Sequence, residues 1–203
     1  MHVKLTKTEL RSEQLKHSRL KKYLPTLQLK KGLLQLEVNQ AQAAIDQLKN
    51  QLKLIEERVD RFALLFSDRE SYELLTALKI QDVVVNYENI AGIEIPIFER
   101  VTFMPFQYTL FDTPIWMESA LEEVKLLLTI GEAIKISQEK KEILQKELRE
   151  VSIRVNLFEK IMIPRAMANI KKIKIFLGDQ QLAAVSQAKM AKKKILMKEG
   201  HLV

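Results

Sequence analysis

The stretch LKKYLPTLQLKKGLLQLEVNQAQAAIDQLKNQLKLIEERVDRFALLF, residues 20–66, decides the fold. Within it Leu20, Leu24, Leu27, Lys31, Leu34, Val38, Ala41, Ile45, Leu48, Leu52, Ile55, Val59, Phe62 and Phe66 stand at steps that alternate four and three without a slip. Only Lys31 among them is not apolar. A repeat of ~3.5 residues is the pattern of a helix wound against a partner helix, because it keeps one stripe of side chains facing that partner turn after turn. No glycine or proline interrupts Val38 to Phe66, and at ~1.5 Å per residue the row predicts a rod of roughly 70 Å. Leu29, Leu33 and Leu36 widen the apolar face beyond this seam. The widening predicts either a third surface, met by an outer partner or a folded-back segment, or simply a broad core face.

The flanks of this stretch carry weaker signals. Glu9 follows Thr6 by three residues, as in a capping box, so Thr6 or Thr8 is expected to open the helix. Pro25 removes one backbone donor and makes a kink plausible on steric grounds. Ser67-Asp-Arg-Glu-Ser71 reads as a stop and restart, with a short helix over Glu70–Leu78. Beyond it the texture changes to β-branched and aromatic residues. Ile93, Ile95 and Ile97 alternate with Glu94 and Pro96, a period of two that predicts a hairpin with strands Val83–Tyr87 and Ile93–Val101 and a turn near Asn89–Gly92. Pro96 places its strand at an edge. A two-stranded hairpin is marginal in water, so this one is expected to pack on the rod or on a partner, as is the apolar run Phe103–Tyr108.

A second long helix is expected to open at Thr113-Pro114, with threonine as N-cap, proline at the first helical position, and Glu118, Glu122 and Glu123 favouring the positive end of the helix dipole. Gly131 is its weak point, and nothing ends it before Gly178 or Gly200. It has its own seam: Leu144, Leu148, Val151, Val155, Phe158, Met162, Ala166, Ile170, Ile173 and Leu177. Three successive steps of four, from Phe158 to Ile170, form a stutter that predicts local unwinding of the supercoil, and Pro164 falls inside it. The fold class predicted is all-α: a long antiparallel two-helix coiled coil of the N- and C-terminal helices, with a middle segment holding a short helix and a β-hairpin. The corresponding divisions are residues 1–66, 67–112 and 113–203. A parallel homodimer built on the first seam is the competing arrangement.

Charge and composition limit function. The net charge is +7 over 203 residues and is concentrated at the ends, +7 in residues 1–31 and +4 in residues 185–203. Basic ends suit nucleic acid, yet no aromatic residues are interleaved there, so a protein partner is favoured. There is no cysteine, hence no disulfide and no thiolate metal site. Neither a secretory signal nor an apolar run of ~20 residues is visible, which predicts a soluble chain linked to any membrane through partners. The five glycines never cluster into a phosphate-cradling loop. His2, His17 and His201 have no ligand spacing, and Glu122–Glu123 and Asp68/Glu70 read as solvated helix faces. No catalytic, metal or cofactor-binding residues are expected.

One segment is more specific. Arg154-Val-Asn-Leu-Phe-Glu159-Lys-Ile-Met-Ile-Pro164-Arg165, followed by Ile170-Lys-Lys-Ile173, closely resembles the R-V-N-x-[LF]-E-x-x-x-I-P-R segment of the D-subunit family of V-type (vacuolar and archaeal-type) ATPases and ATP synthases. The Leu20-Lys-Lys-Tyr-Leu24 to Gly32-Leu33-Leu34 region and Tyr108–Thr113 are similar to other parts of that family's pattern, in the same order. Thr6-Lys7 replaces the usual Thr-Arg, and Lys30-Lys31 replace Gly-His. The resemblance implies a central-stalk rotor shaft that transmits torque between a ring of catalytic and regulatory subunits and the membrane ion-translocating rotor. Its expected neighbours are that ring, a small F-type central-stalk subunit and a funnel-shaped subunit above the membrane ring, with no nucleic acid and no direct membrane insertion. The expected location is cytoplasmic, peripheral to the membrane. Asn156, Glu159, Arg165, Lys192, Lys193 and Lys194 are the expected partner contacts. A homodimeric coiled-coil scaffold and a basic nucleic-acid-binding rod are the rival classes.

Overall fold

The computed structural model describes residues 3–62, 78–105 and 116–199. In chain order these form α1 (Lys7–Val59), a single 3-10 turn (Asp60–Phe62), β1 (Ile80–Ile90), β2 (Ile93–Phe103), α2 (Trp116–Leu157), a π-helical turn (Phe158–Met162) and α3 (Ile163–Glu199). The expected short helix at residues 70–78, apart from its last residue, and the Thr113 cap lie outside the described residues. The chain divides into two compact units, one of residues 1–29 with 151–203 and the other of residues 30–150. Each unit draws on both long helical regions, so the observed division cuts across the two helices.

The opening of α1 follows the sequence. The Glu9 N–H donates to Thr6 Oγ1 at 3.2 Å, which satisfies one of the first-turn amides that have no partner within the helix. The helix continues through Pro25 and Gly32 to Val59. Every seam residue from Leu20 to Val59 is buried or half-buried. Leu29, Leu33 and Leu36 are instead exposed, at 76, 44 and 53% of their full surface. The widened face is therefore not part of the core.

In the unit of residues 30–150, Leu34, Val38, Ala41, Ile45 and Ile55 of α1 are buried, as are Ala120, Leu121, Ala133, Ile134, Ile136 and Leu144 of α2. Two ion pairs set the direction of packing. Lys30 Nζ lies 3.2 Å from Glu147 Oε1, and Arg58 lies 3.1 Å from Glu123 Oε1. Early α1 thus meets late α2, and late α1 meets early α2, which makes the pairing antiparallel and within one chain rather than parallel between two. Glu123 accordingly differs from its expected role on a solvated face: it is half-buried and paired across the helices, while Glu122 is exposed.

The hairpin is longer than its sequence pattern indicates. Its strands pair antiparallel from Ile80↔Phe103 to Ile90↔Ile93. Two irregularities in the register, one between Ile80 and Asp82 and one between Val84 and Val85, leave Gln81 and Glu99 without opposite partners. Such bulges hide the period-two alternation at the far ends of both strands. The connection is the two-residue turn Ala91-Gly92, with φ of 55° and 83°, and Asn89 Oδ1 accepts a bond from the Gly92 N–H at 2.9 Å. Positive φ at both central residues is the tight turn whose twist matches that of the flanking strands. Ala91 bears a Cβ in a region that suits glycine, so Ala91→Gly is expected to stabilise this unit by about 1 kcal/mol, read as a rise in the urea midpoint without a change in slope. An unchanged or lower midpoint would show that the alanine is unstrained there.

The hairpin finds its cover on the helices of its own unit. Pro96, Ile97 and Phe98 of β2 share a groove with Ala41, Ala44 and Leu48 of α1 and with Ala133, Ile136 and Ser137 of α2. Ile95 is completely buried. Lys125 Nζ stands 5.8 Å from the centre of the Phe103 ring, a cation–π distance that also shields the strand end.

In the unit of residues 1–29 and 151–203, the seam of the second helical region is again buried or half-buried at every position from Val151 to Leu177. At the stutter the chain inserts a π turn, in which the Ile163 N–H donates to Phe158 O. A π turn holds one residue more than an α turn. Eight residues rather than seven therefore fit between Phe158 and Ala166, and both ends stay on the face that meets α1. Pro164 follows directly, where a residue without an N–H does least harm because the regular hydrogen-bond ladder is already broken. α3 then runs through Gly178 to Glu199.

Candidate interaction surface

The six expected contact residues are all exposed. Asn156 is in the last turn of α2, Glu159 within the π turn, and Arg165 in the first turn of α3. Lys192, Lys193 and Lys194 are near the end of α3. The motif is thus split by the π turn, and its residues are set around an irregular piece of helix rather than along one straight face.

Among the six, Arg165 lines a groove. Its other walls are Lys4, Glu9, Glu13 and Lys16 from the N-terminal region and Leu157, Ile161, Ala166 and Asn169 from across it. Glu13 forms the polar floor of this groove. It is 8% exposed, its Oε2 accepts a bond from Asn169 Nδ2 at 3.4 Å, and its Oε1 lies 3.9 Å from Lys16 Nζ. Neither Glu13 nor Asn169 stands out in the sequence. Counting the four-three steps back from Leu20 reaches His17, Glu13 and Leu10, so the seam signal extends to Glu13, hidden by two polar residues in succession.

Beside the motif lies an exposed apolar row. Ile153, Leu157 and Ile161 recur at steps of four and are 59, 41 and 55% exposed. Further along, every residue from Asp179 to Met197 is exposed. That segment mixes Leu182, Val185, Met190, Ile195, Leu196 and Met197 with Lys189, Lys192, Lys193 and Lys194. Large apolar side chains left in water at this density make the segment a candidate surface for another protein.

Among the described residues no three histidine, aspartate or glutamate side chains come together as a metal site. No described helix is long and apolar enough to cross a membrane.

The sequence model of the ATP synthase D-subunit family matches residues 9–193. The chain is 44% identical to the V-type ATP synthase D subunit of Chlamydia pneumoniae over 201 residues, which covers 98% of this chain and 96% of that protein. It is 38% identical over 196 residues to the V-type ATP synthase D subunit of Borreliella burgdorferi, covering 97 and 96%. With the protein of the same name from Chlamydia trachomatis serovar L2 the identity is 43% over 194 residues, covering 95 and 96%.

Proposed function

The chain belongs to the ATP synthase D-subunit family, and from that premise we propose that it is the central-stalk shaft of a V-type rotary ATPase or ATP synthase. The observation that carries this reading is the intrachain antiparallel helix pairing, buried along both seams, joined to a stretch of α3 that is wholly exposed, apolar and basic. A shaft needs stiffness within itself and a surface for others at its ends. Paired seams supply the first, because bending either helix must also disturb the packed row between them. The exposed part of α3 supplies the second.

In this reading the ring of catalytic and regulatory subunits surrounds the helix pair, with Asn156, Glu159, Arg165, Lys192, Lys193 and Lys194 as contacts. The ring binds and turns over ATP, and this chain contributes no catalytic group. Leu29, Leu33 and Leu36, with the outward side of the hairpin, face a small side subunit. A funnel-shaped subunit joins the shaft to the membrane rotor, so the chain itself stays peripheral to the bilayer, on its cytoplasmic side. Rotation acts by differential contact: an asymmetric shaft presents another face to each catalytic interface in turn and shifts each site's population of open and closed forms.

The test is affinity capture of the tagged chain from its native cells under non-denaturing conditions. Co-recovery of nucleotide-binding ring subunits is expected. Their reproducible absence, with capture of a second copy of this chain alone, would overturn the shaft in favour of a homodimeric scaffold.

A further inference from the structure

We propose that the Glu13–Asn169 pair sets the register of α1 against α3, holding them to one of several alignments that their apolar rows alone would accept. The inference concerns the helix pair itself and does not depend on the rotor reading. Apolar rows with a near-heptad repeat are nearly degenerate under a slip of seven residues, because leucine, isoleucine and valine replace one another along the row at little cost. In the unit of residues 30–150 that degeneracy is removed by the hairpin seated on both helices. The other unit has no strand among its described residues, only α1, the end of α2, the π turn and α3.

What it has instead is a carboxylate in the seam. Glu13 stands one heptad before Leu20 and is the buried charged residue among those described. Its two oxygens are divided: Oε1 faces Lys16 of its own helix, and Oε2 takes the Asn169 amide from the opposite one. Lys16 moves with Glu13 and is indifferent to register. Asn169 is not. A slip of one repeat would set Phe176 or, counting eight residues across the π turn, Ile161 in its place, and neither side chain carries an N–H or O–H for a buried oxygen. The correct alignment is thus distinguished by a penalty on the wrong ones, as a single polar residue in a coiled-coil seam distinguishes register and partner number at some expense of stability. The ion pairs of the other unit discriminate less, since their side chains keep between 24 and 47% of their surface in water.

Lysine-specific cross-linking read by mass spectrometry tests this on the full chain. Lys7, Lys16, Lys21 and Lys22 on one side and Lys160, Lys171, Lys172 and Lys174 on the other are all exposed and report alignment directly. The parent chain is expected to give one set of pairs. Glu13→Leu and Asn169→Leu should each add a second set displaced by one repeat; the melting temperature should be no lower than that of the parent in Glu13→Leu, and lower in Asn169→Leu, where the carboxylate loses its donor. Glu13→Gln, which keeps an acceptor for Asn169, and the exchange of Glu13→Asn with Asn169→Glu should both return the single set. A single set in both leucine variants, or failure of either to fold, would show an ordinary structural contact and overturn the proposal.

Discussion

Leu34→Ala and Leu144→Ala are each expected to destabilise the chain by ~2–5 kcal/mol, while Leu29→Ala and Leu36→Ala change its stability by less than ~0.5 kcal/mol. The four substitutions are chemically identical, so the difference isolates position. Leu34 and Leu144 are fully buried. Truncating either removes apolar contact and leaves a cavity that cannot collapse readily, because a helix pair has few neighbours able to move in. Leu29 and Leu36 lie on the same helix as Leu34 but off the seam, and are more than half exposed. Urea titration of the four variants gives the comparison, with the slope required to stay constant. Comparable losses at all four positions would mean that the outer leucines are covered in the isolated chain, and the assignment of the seam as the sole core of α1 would fall. If the proposed shaft carries a side subunit on this face, the outer leucines should instead affect its retention in the assembled complex while leaving the chain's own stability unchanged.

The contrast between Leu34 and Leu36 also marks what can be read from the sequence. Periodicity says which residues share a face, and the face chosen from the four-three row is buried or half-buried from Leu20 to Val59. It does not say whether a second apolar row beside the first is covered, since that depends on which other element lies nearby. The hairpin is legible from Ile93, Ile95 and Ile97 because alternation is a local signal. Its outer ends are not, because Gln81 and Glu99 break the register there. At the stutter, the spacing of Phe158, Met162, Ala166 and Ile170 reveals an extra residue but not where the backbone stores it. A change of supercoil spreads the adjustment over many residues, whereas a π turn concentrates it in Phe158–Met162, and Pro164 favours the second by already removing one rung of the ladder. Glu13 is hidden because a polar residue in an apolar row is recognised only when its partner across the seam is known. Asn169 lies 156 positions away, a distance over which no local pattern operates. The expected contact residues come from resemblance: exposed Asn156, Glu159 and Arg165 have nothing in their spacing that separates them from any solvated helix face.

Tethering the end of α3 to the ring is expected to stop ATP turnover by the complex. The chain contains no cysteine, so Lys193→Cys introduces one thiol into it, on a fully exposed part of the helix where loss of a single surface charge leaves the fold intact. A reducible thiol-to-amine cross-linker can then join that position to a neighbouring ring subunit in the purified complex. If the chain must turn within the ring for its catalytic sites to exchange states, a covalent tether halts the cycle after at most a partial turn, and hydrolysis should fall at least ~10-fold in proportion to cross-link yield, which is a loss of about 1.4 kcal/mol or more in effective barrier terms. Reduction of the linker should restore the rate, and the same reagent applied without the introduced thiol should leave it unchanged. A charge or packing effect of the substitution alone would appear before cross-linking and persist after reduction, so the reversible component belongs to rotation. Full turnover in a quantitatively tethered complex would mean that the chain is a stationary scaffold, and the paired seams would then serve rigidity without torque.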